Sequence, residues 1–158
     1  RDAVPQADLI VNATTKGQGG LRRLASGRVT CLEPYSALAP ANPATFDSAE
    51  ADDTAAFYRL WYWASLGDIQ RNQRDSNWII LTAGQGTAFF DIIYSPLETP
   101  FLAQARWTGH ATLNGKWMII AQAADAMVNR VMPRHIQELG TDPQVAYRTV
   151  FEAMARVW

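Results

Sequence analysis

Phe89-Phe-Asp91-Ile-Ile-Tyr94-Ser-Pro96-Leu-Glu-Thr99-Pro100-Phe-Leu-Ala-Gln-Ala-Arg-Trp-Thr-Gly109-His-Ala111-Thr-Leu113-Asn114-Gly115-Lys-Trp117-Met118-Ile-Ile-Ala-Gln122 divides into four pieces. Residues 89–94 are mostly apolar, with β-branched and aromatic side chains, and Ser95-Pro96 ends the run as a buried strand entering a turn would. Thr99-Pro100 is a helix start, with threonine as N-cap and proline at the first helical position, and Gly109 closes that helix. Residues 111–113 form a short extended piece, and Asn114-Gly115 opens a second helix. The order strand, helix, strand, helix predicts a parallel sheet with helices on its faces.

Toward the N-terminus, Ala7-Asp8-Leu9-Ile10-Val11 is another β-rich run, followed by Asn12-Ala13-Thr14-Thr15 and a glycine-rich segment over residues 16–20. Small polar residues after a buried strand suit a βα turn, because asparagine and threonine side chains bond nearby backbone groups. On that pattern alone, a plain structural turn and a binding loop are both open. Further strands are expected over residues 29–32 and 78–81. Trp78-Ile-Ile-Leu81 precedes Thr82-Ala-Gly84-Gln-Gly86-Thr87, and a strand before Gly-x-Gly invites a phosphate-binding reading. The third glycine is missing and strand-like residues follow with no room for a helix, so a tight turn joining two strands is expected.

Residues 36–53 are rich in Ala, Pro, Ser and acidic side chains and lack periodicity, which predicts a mobile surface loop. Asp53-Thr54 caps a helix over residues 54–66 that ends at Gly67. Phe57, Tyr58, Trp61, Tyr62 and Trp63 run nearly all round it, so it is expected to be largely covered. Three covers are open: the domain's own core, a missing domain or partner chain met through Phe57, Trp61 and Trp63, or a stacked ligand. Residues 67–77 read as a solvated connection. Beyond Gln122 the helix continues through Ala123, Ala124, Met127, Val128 and Val131 until Pro133 stops it. A last amphipathic helix runs from Pro143 to about Val157, capped by Thr141 or Asp142, with Val145, Thr149, Val150, Ala153 and Met154 expected on its buried side.

A length of 158 residues, 48% of them hydrophobic, predicts one domain over residues 1–158 with a proper core. The net charge of −1, with no block of like charges, gives no electrostatic case for nucleic acid or an acidic membrane. No signal peptide or apolar run of transmembrane length is present. The single cysteine, Cys31, cannot form an intramolecular disulfide, so a reducing, intracellular setting is expected. The start at Arg1, close to a strand and without methionine, suggests a piece of a longer chain. His110 and His135 lie beside helices without an acid or nucleophile in sequence reach and read as surface residues, and Cys31 as a small semi-buried one.

Asp91-Ile-Ile-Tyr94-Ser-Pro96-Leu-Glu-Thr99-Pro100-Phe-Leu, followed by Asn114-Gly115-Lys-Trp117-Met118-Ile-Ile-Ala-Gln122-Ala-Ala, resembles the C-terminal part of shikimate dehydrogenases. Asp8-Leu9-Ile10-Val-Asn12-Ala13-Thr14 likewise resembles that family's Asp-Leu-Ile-x-Asn-Ala-Thr signature. The resemblance implies an α/β fold, a partial Rossmann-like three-layer sandwich with a mainly parallel sheet and helices on both faces. It implies reversible NADP-dependent reduction of 3-dehydroshikimate to shikimate. It assigns Tyr94 and Gln122 to the substrate side, and Asn12, Ala13, Thr14, Gly115 and Met118 to the cofactor side. A phenol and an amide can orient a hydroxylated carboxylate, and a glycine lets a flat ring approach the backbone. Each residue type also has an ordinary use: a tyrosine at a strand edge, a solvated helical glutamine, a methionine in a core.

Several positions depart from the family pattern. Gln18 stands where a hydrophobic residue follows the loop glycine, Ser95 replaces an asparagine, and Trp117 replaces a second glycine, where an indole would narrow the nicotinamide pocket. The chain between the first signature and Asp91 is longer than the family's, which marks residues 36–77 as an insertion. The family's catalytic Lys/Asp pair and its glycine-rich phosphate loop have no counterpart here, so no catalytic residue and no metal ligand is expected. Three readings follow: part of a shikimate dehydrogenase-like oxidoreductase, inactive alone; a non-catalytic domain binding a shikimate- or quinate-pathway metabolite, as in fungal quinate-pathway repressors; or a structural interaction module. A cytoplasmic location is expected, or a nuclear one for the repressor-like reading.

Overall fold

The computed structural model describes residues 3–51 and 53–157. They fall into two compact units, one running through Asn114 and the other from Gly115 onward.

The first unit holds β1 (Leu9–Asn12), β2 (Leu21–Arg23), β3 (Val29–Cys31), α1 (Thr54–Ile80), β4 (Ala88–Asp91), α2 (Pro100–Trp107) and β5 (Ala111–Leu113). The parallel sheet is three-stranded, in the order β1-β4-β5. Ile10 lies opposite Phe89, and Phe89 opposite Thr112. This is the mixed α/β architecture, with a parallel sheet and helices around it, that the strand-helix order predicts. Phe89 packs with Phe101, Leu102 and Ala105 of α2 and with Ile80 of α1, its ring centroid 5.4 Å from that of Phe101. Fully burying an aromatic or aliphatic side chain of this size contributes about 1.5–3 kcal/mol, so this layer anchors the sheet. Leu9, Val11 and Leu113 alternate onto the other side and are each about half exposed. Thr99 caps α2 as expected, accepting from the Leu102 N–H, and Gly109 follows it at φ +85°.

β3 corrects one expectation. It does not join the parallel sheet but pairs antiparallel with β2 in a separate two-stranded sheet, and β2 carries no apolar alternation that would have marked it. The β4 strand also stops at Asp91 rather than reaching Tyr94, because the Asp91 carboxylate accepts from the Ile93 N–H and turns the chain.

α1 is the largest correction. It runs 27 residues, through Gly67, through the supposed polar connection and through the supposed strand at residues 78–81. Its buried positions are Phe57, Trp61, Ser65, Ile69, Asn72, Ser76 and Ile80, spaced three or four apart along one face. The apolar signal fades after Ile69 only because the stripe becomes polar. A four-residue apolar run cannot by itself tell helix from strand. Ile80 faces the core, while Trp78 and Leu81 are 69% and 64% exposed. Gly84 and Gly86 therefore turn a helix into β4, not one strand into another.

The aromatic belt of α1 is covered on one side only. Phe57 and Trp61 are buried with Val29, Cys31, Tyr35 and Ile69 in a second core, whereas Tyr62 and Trp63 are 50% and 78% exposed. The Trp61 indole N–H donates to Thr30 Oγ1 and Ala44 O, at 3.0 and 3.1 Å, so its polar edge is satisfied. Within the expected surface loop, residues 36–46 are tied to the rest of the unit. Ser36 and Ala39 are buried, Val29 and Phe46 exchange backbone hydrogen bonds, and Asn72 on α1 clasps the segment: its Oδ1 accepts from the Ser36 N–H at 2.8 Å, and its Nδ2 donates to the carbonyls of Ser36, Ala39 and Pro40 at 3.0–3.1 Å. Cys31 is fully buried rather than half so. His110 is not a surface residue either: its ring sits 5.0 Å from Phe89 and its Nδ1 is buried.

The second unit is helical: α3 (Lys116–Ala126), a π-helical turn over Met127–Val131, α4 (Pro133–Glu138) and α5 (Pro143–Val157). Pro133 ends one segment by opening the next, at the first turn of α4. Asp142 caps α5, its Oδ1 accepting from the Gln144 N–H at 2.7 Å. The inner face of α5 differs from expectation. Tyr147, Val150, Phe151 and Met154 are half-buried while Val145, Thr149 and Ala153 are exposed, because Phe151 stacks on both Tyr147 and Trp117 at centroid distances of 6.0 Å. Among the described residues, no helix is long and apolar enough to cross a membrane.

Candidate functional site

In open parallel sheets, ligands bind beyond the carboxyl ends of the strands, where neighbouring loops part. Here those loops follow β1 and β4, and a buried polar knot joins them. Asn12 is 2% exposed; its Nδ2 donates to Asp91 Oδ1 at 3.1 Å and to Lys16 O at 3.0 Å. Its Oδ1 accepts from the backbone N–H and the hydroxyl of Thr14, at 2.9 and 2.8 Å. Asp91 is fully buried and accepts the Thr99 hydroxyl at 2.6 Å as well as the Ile93 N–H at 2.9 Å. Burial pushes the Asp91 carboxyl above its ordinary range, against the hydrogen bonds from Thr99, Ile93 and Asn12, which pull it down.

The loop after β1 is drawn tightly over this knot. Gly17 has φ +94°, and a Cβ placed there would lie 2.8 Å from Thr99 Cβ, so both conformation and space call for glycine. The Gly17 N–H donates to Leu32 O at 2.8 Å and the Gly19 N–H to Ser95 O at 3.2 Å. Lys16 donates from Nζ to Ala39 O at 2.7 Å, joining the loop to the segment that Asn72 clasps, and its burial lowers the ammonium pKa.

What remains outward is a small cleft of about 200 Å³ lined by Thr14, Thr15, Gln18, Gly19, Ile92, Ile93, Tyr94 and Ser95. Thr14 and Tyr94, assigned by sequence to opposite sides of one site, thus share a wall, and Ala13 is exposed beside them. Asn12 lies beneath, with its amide engaged within the chain. In the second unit, Gly115 precedes α3 at φ −73°, a conformation open to any residue, while Met118 is half-buried and Gln122 exposed on α3. Trp117 is 47% exposed, stacked on Phe151, with the Lys116 ammonium 5.2 Å from its ring centroid.

Sequence reasoning passed over Asp91, Thr99, Lys16 and Gly17 as site-building residues. Asp91 and Thr99 stood in the quoted motif, but nothing in their spacing shows that they bond each other. It also missed a larger groove between α1 and α2, of about 560 Å³, because it ended α1 too early.

No family model matches the chain. Short local similarities do. A shikimate dehydrogenase (NADP(+)) of Methanosarcina mazei is 46% identical over 41 residues, which are 26% of this chain and 15% of that protein. A shikimate dehydrogenase (NADP(+)) of Streptococcus pneumoniae is 56% identical over 36 residues, 23% of this chain and 13% of that protein. The chain thus matches about a seventh of the length of these curated relatives. No solved structure matches.

Proposed function

We propose that this chain supplies the substrate- and nicotinamide-facing edge of a shikimate dehydrogenase-like oxidoreductase and lacks the proton-transfer pair that would complete the reaction. The observation that carries the reading is the knot of Asn12, Asp91 and Thr99, which locks together the two loops that carry the family-like motifs and leaves Thr14 and Tyr94 on one cleft. On this cleft the Tyr94 hydroxyl is the group that would orient a hydroxylated cyclohexene carboxylate by hydrogen bonds, with Thr14 on the same wall; the resemblance also assigns Gln122 a substrate-side role.

NADP, when bound, would carry the hydride in such chemistry, given up by its reduced form and taken up by its oxidised form. The described residues give no cradle for the whole dinucleotide, so the reading extends only to its nicotinamide end. The cleft falls below the roughly 300–1,000 Å³ usual for drug-sized ligands. The turn after β1 leads to β2 instead of a helix N-terminus, so no helix there cradles phosphate.

A second reading, a non-catalytic metabolite-binding domain, is favoured by the Lys16 to Ala39 bond, which ties the loop after β1 to the insertion. Calorimetric and thermal-shift titrations with shikimate, quinate, 3-dehydroshikimate and NADP test both, since a ligand that binds only the folded state raises its apparent stability. Shikimate or quinate should stabilise the chain, and Tyr94→Phe or Gln122→Ala should abolish the shift. Both readings fail if no ligand acts at millimolar concentration, or if both substitutions leave the shift intact. Turnover of NADP with shikimate would reject the claim that the pair is missing.

A further inference from the structure

The groove between α1 and α2 shares no lining residue with the cleft after β1 and β4. Its volume of about 560 Å³ lies within the range of small-molecule sites, roughly 300–1,000 Å³. Tyr62 of α1 and Trp107 of α2 line it with rings that are 50% and 70% exposed. The charged side chains in its wall are the carboxylates Glu33 and Glu98; no lysine, arginine or histidine lines it among the described residues. Glu98 is held by Arg106 at 2.6 Å, whereas Glu33 is exposed and makes no ion pair among the described residues. Gln104 lies in the wall, 3% exposed; its Nε2 reaches Gln73 O at 3.4 Å, and its Oε1 is buried with no hydrogen-bond partner among the described residues.

From these features we infer that this groove is a binding site for a small, flat aromatic cation bearing N–H donors. Electron-rich ring faces attract cations. The exposed Glu33 carboxylate accepts from N–H groups, and the absence of a basic side chain in the wall disfavours anions. Thr99 of the knot also lines this groove, but the groove takes the opposite charge from a cyclohexene carboxylate, so binding of a cation here and of shikimate at the cleft after β1 and β4 are read separately.

Benzamidine, benzamide and benzoate have nearly the same shape and differ in charge, and the six tryptophans offer resolvable indole N–H signals by NMR. Benzamidine should perturb Trp61 and Trp107 while sparing Trp63 and Trp78, and bind roughly fivefold tighter than benzamide; benzoate should not bind. Glu33→Gln should weaken benzamidine and leave benzamide unchanged. Ala103→Phe, which adds a ring to the groove from α2, should block both. Equal binding of benzoate, uniform movement of all indoles, indifference to both substitutions, or no shift at millimolar benzamidine overturns the inference.

Discussion

Asn12 and Asn72 are both almost wholly buried in the first unit, and both spend all their hydrogen-bonding capacity inside it. Asn12 works in a mixed network, with a carboxylate, two hydroxyls and backbone, at the edge of the sheet where its neighbours Ala13 and Thr14 face outward. Asn72 bonds only backbone, four times, in the middle of a helix. The first arrangement positions a surface; the second replaces an apolar contact and gives an irregular segment the hydrogen bonds it would otherwise lack.

Removing the second knot should cost most. Asn72→Ala leaves several buried backbone groups unpaired, and urea unfolding should show a loss of about 3 kcal/mol. A loss under 1 kcal/mol would mean that water replaces the amide and that the knot is dispensable. Next comes Gly17→Ala, which combines a positive φ with a clash against Thr99; about 2 kcal/mol should be lost. Here a neutral result would show that the loop after β1 is not drawn down on the knot.

Asp91→Asn sharpens the comparison through pH. Because the folded carboxyl titrates above its unfolded value, its contribution is fully present below about pH 4 and is lost as pH rises through the folded value. Urea midpoints measured from pH 4 to 8 should therefore fall in the wild type relative to Asp91→Asn. Parallel curves would show that the hydrogen bonds to the carboxylate fully offset its burial. The smallest effect has the opposite sign. Gly67 sits exposed in mid-helix with nothing within 4 Å of an added Cβ, so Gly67→Ala should stabilise by up to about 1 kcal/mol. Destabilisation would point to a close contact made at that face.

The parallel sheet was legible because β1, β4, β5 and the Thr99-Pro100 start each carry a local signature of apolar run, cap or closing glycine. The insertion was not. Ser65, Asn72 and Ser76 occupy buried helical positions, where polarity reads as solvent exposure, so the sequence pattern ends α1 early and gives Trp78 to a strand. At the site, Thr14 and Tyr94, from the two motifs, line one cleft. The motifs could not reveal the bond between Asn12 and Asp91, which spans 79 positions of chain. The groove between α1 and α2 was invisible for the same reason as the helix that walls it.

The Asn72 clasp also has a kinetic consequence. The Ser36 amide is held by a side chain of α1 and not by a ladder of its own, so its deuterium uptake should follow the opening of the middle of that helix. Residues 36–40 and the turns around Asn72 would then exchange as one cooperative unit, although the segment contains no regular secondary structure.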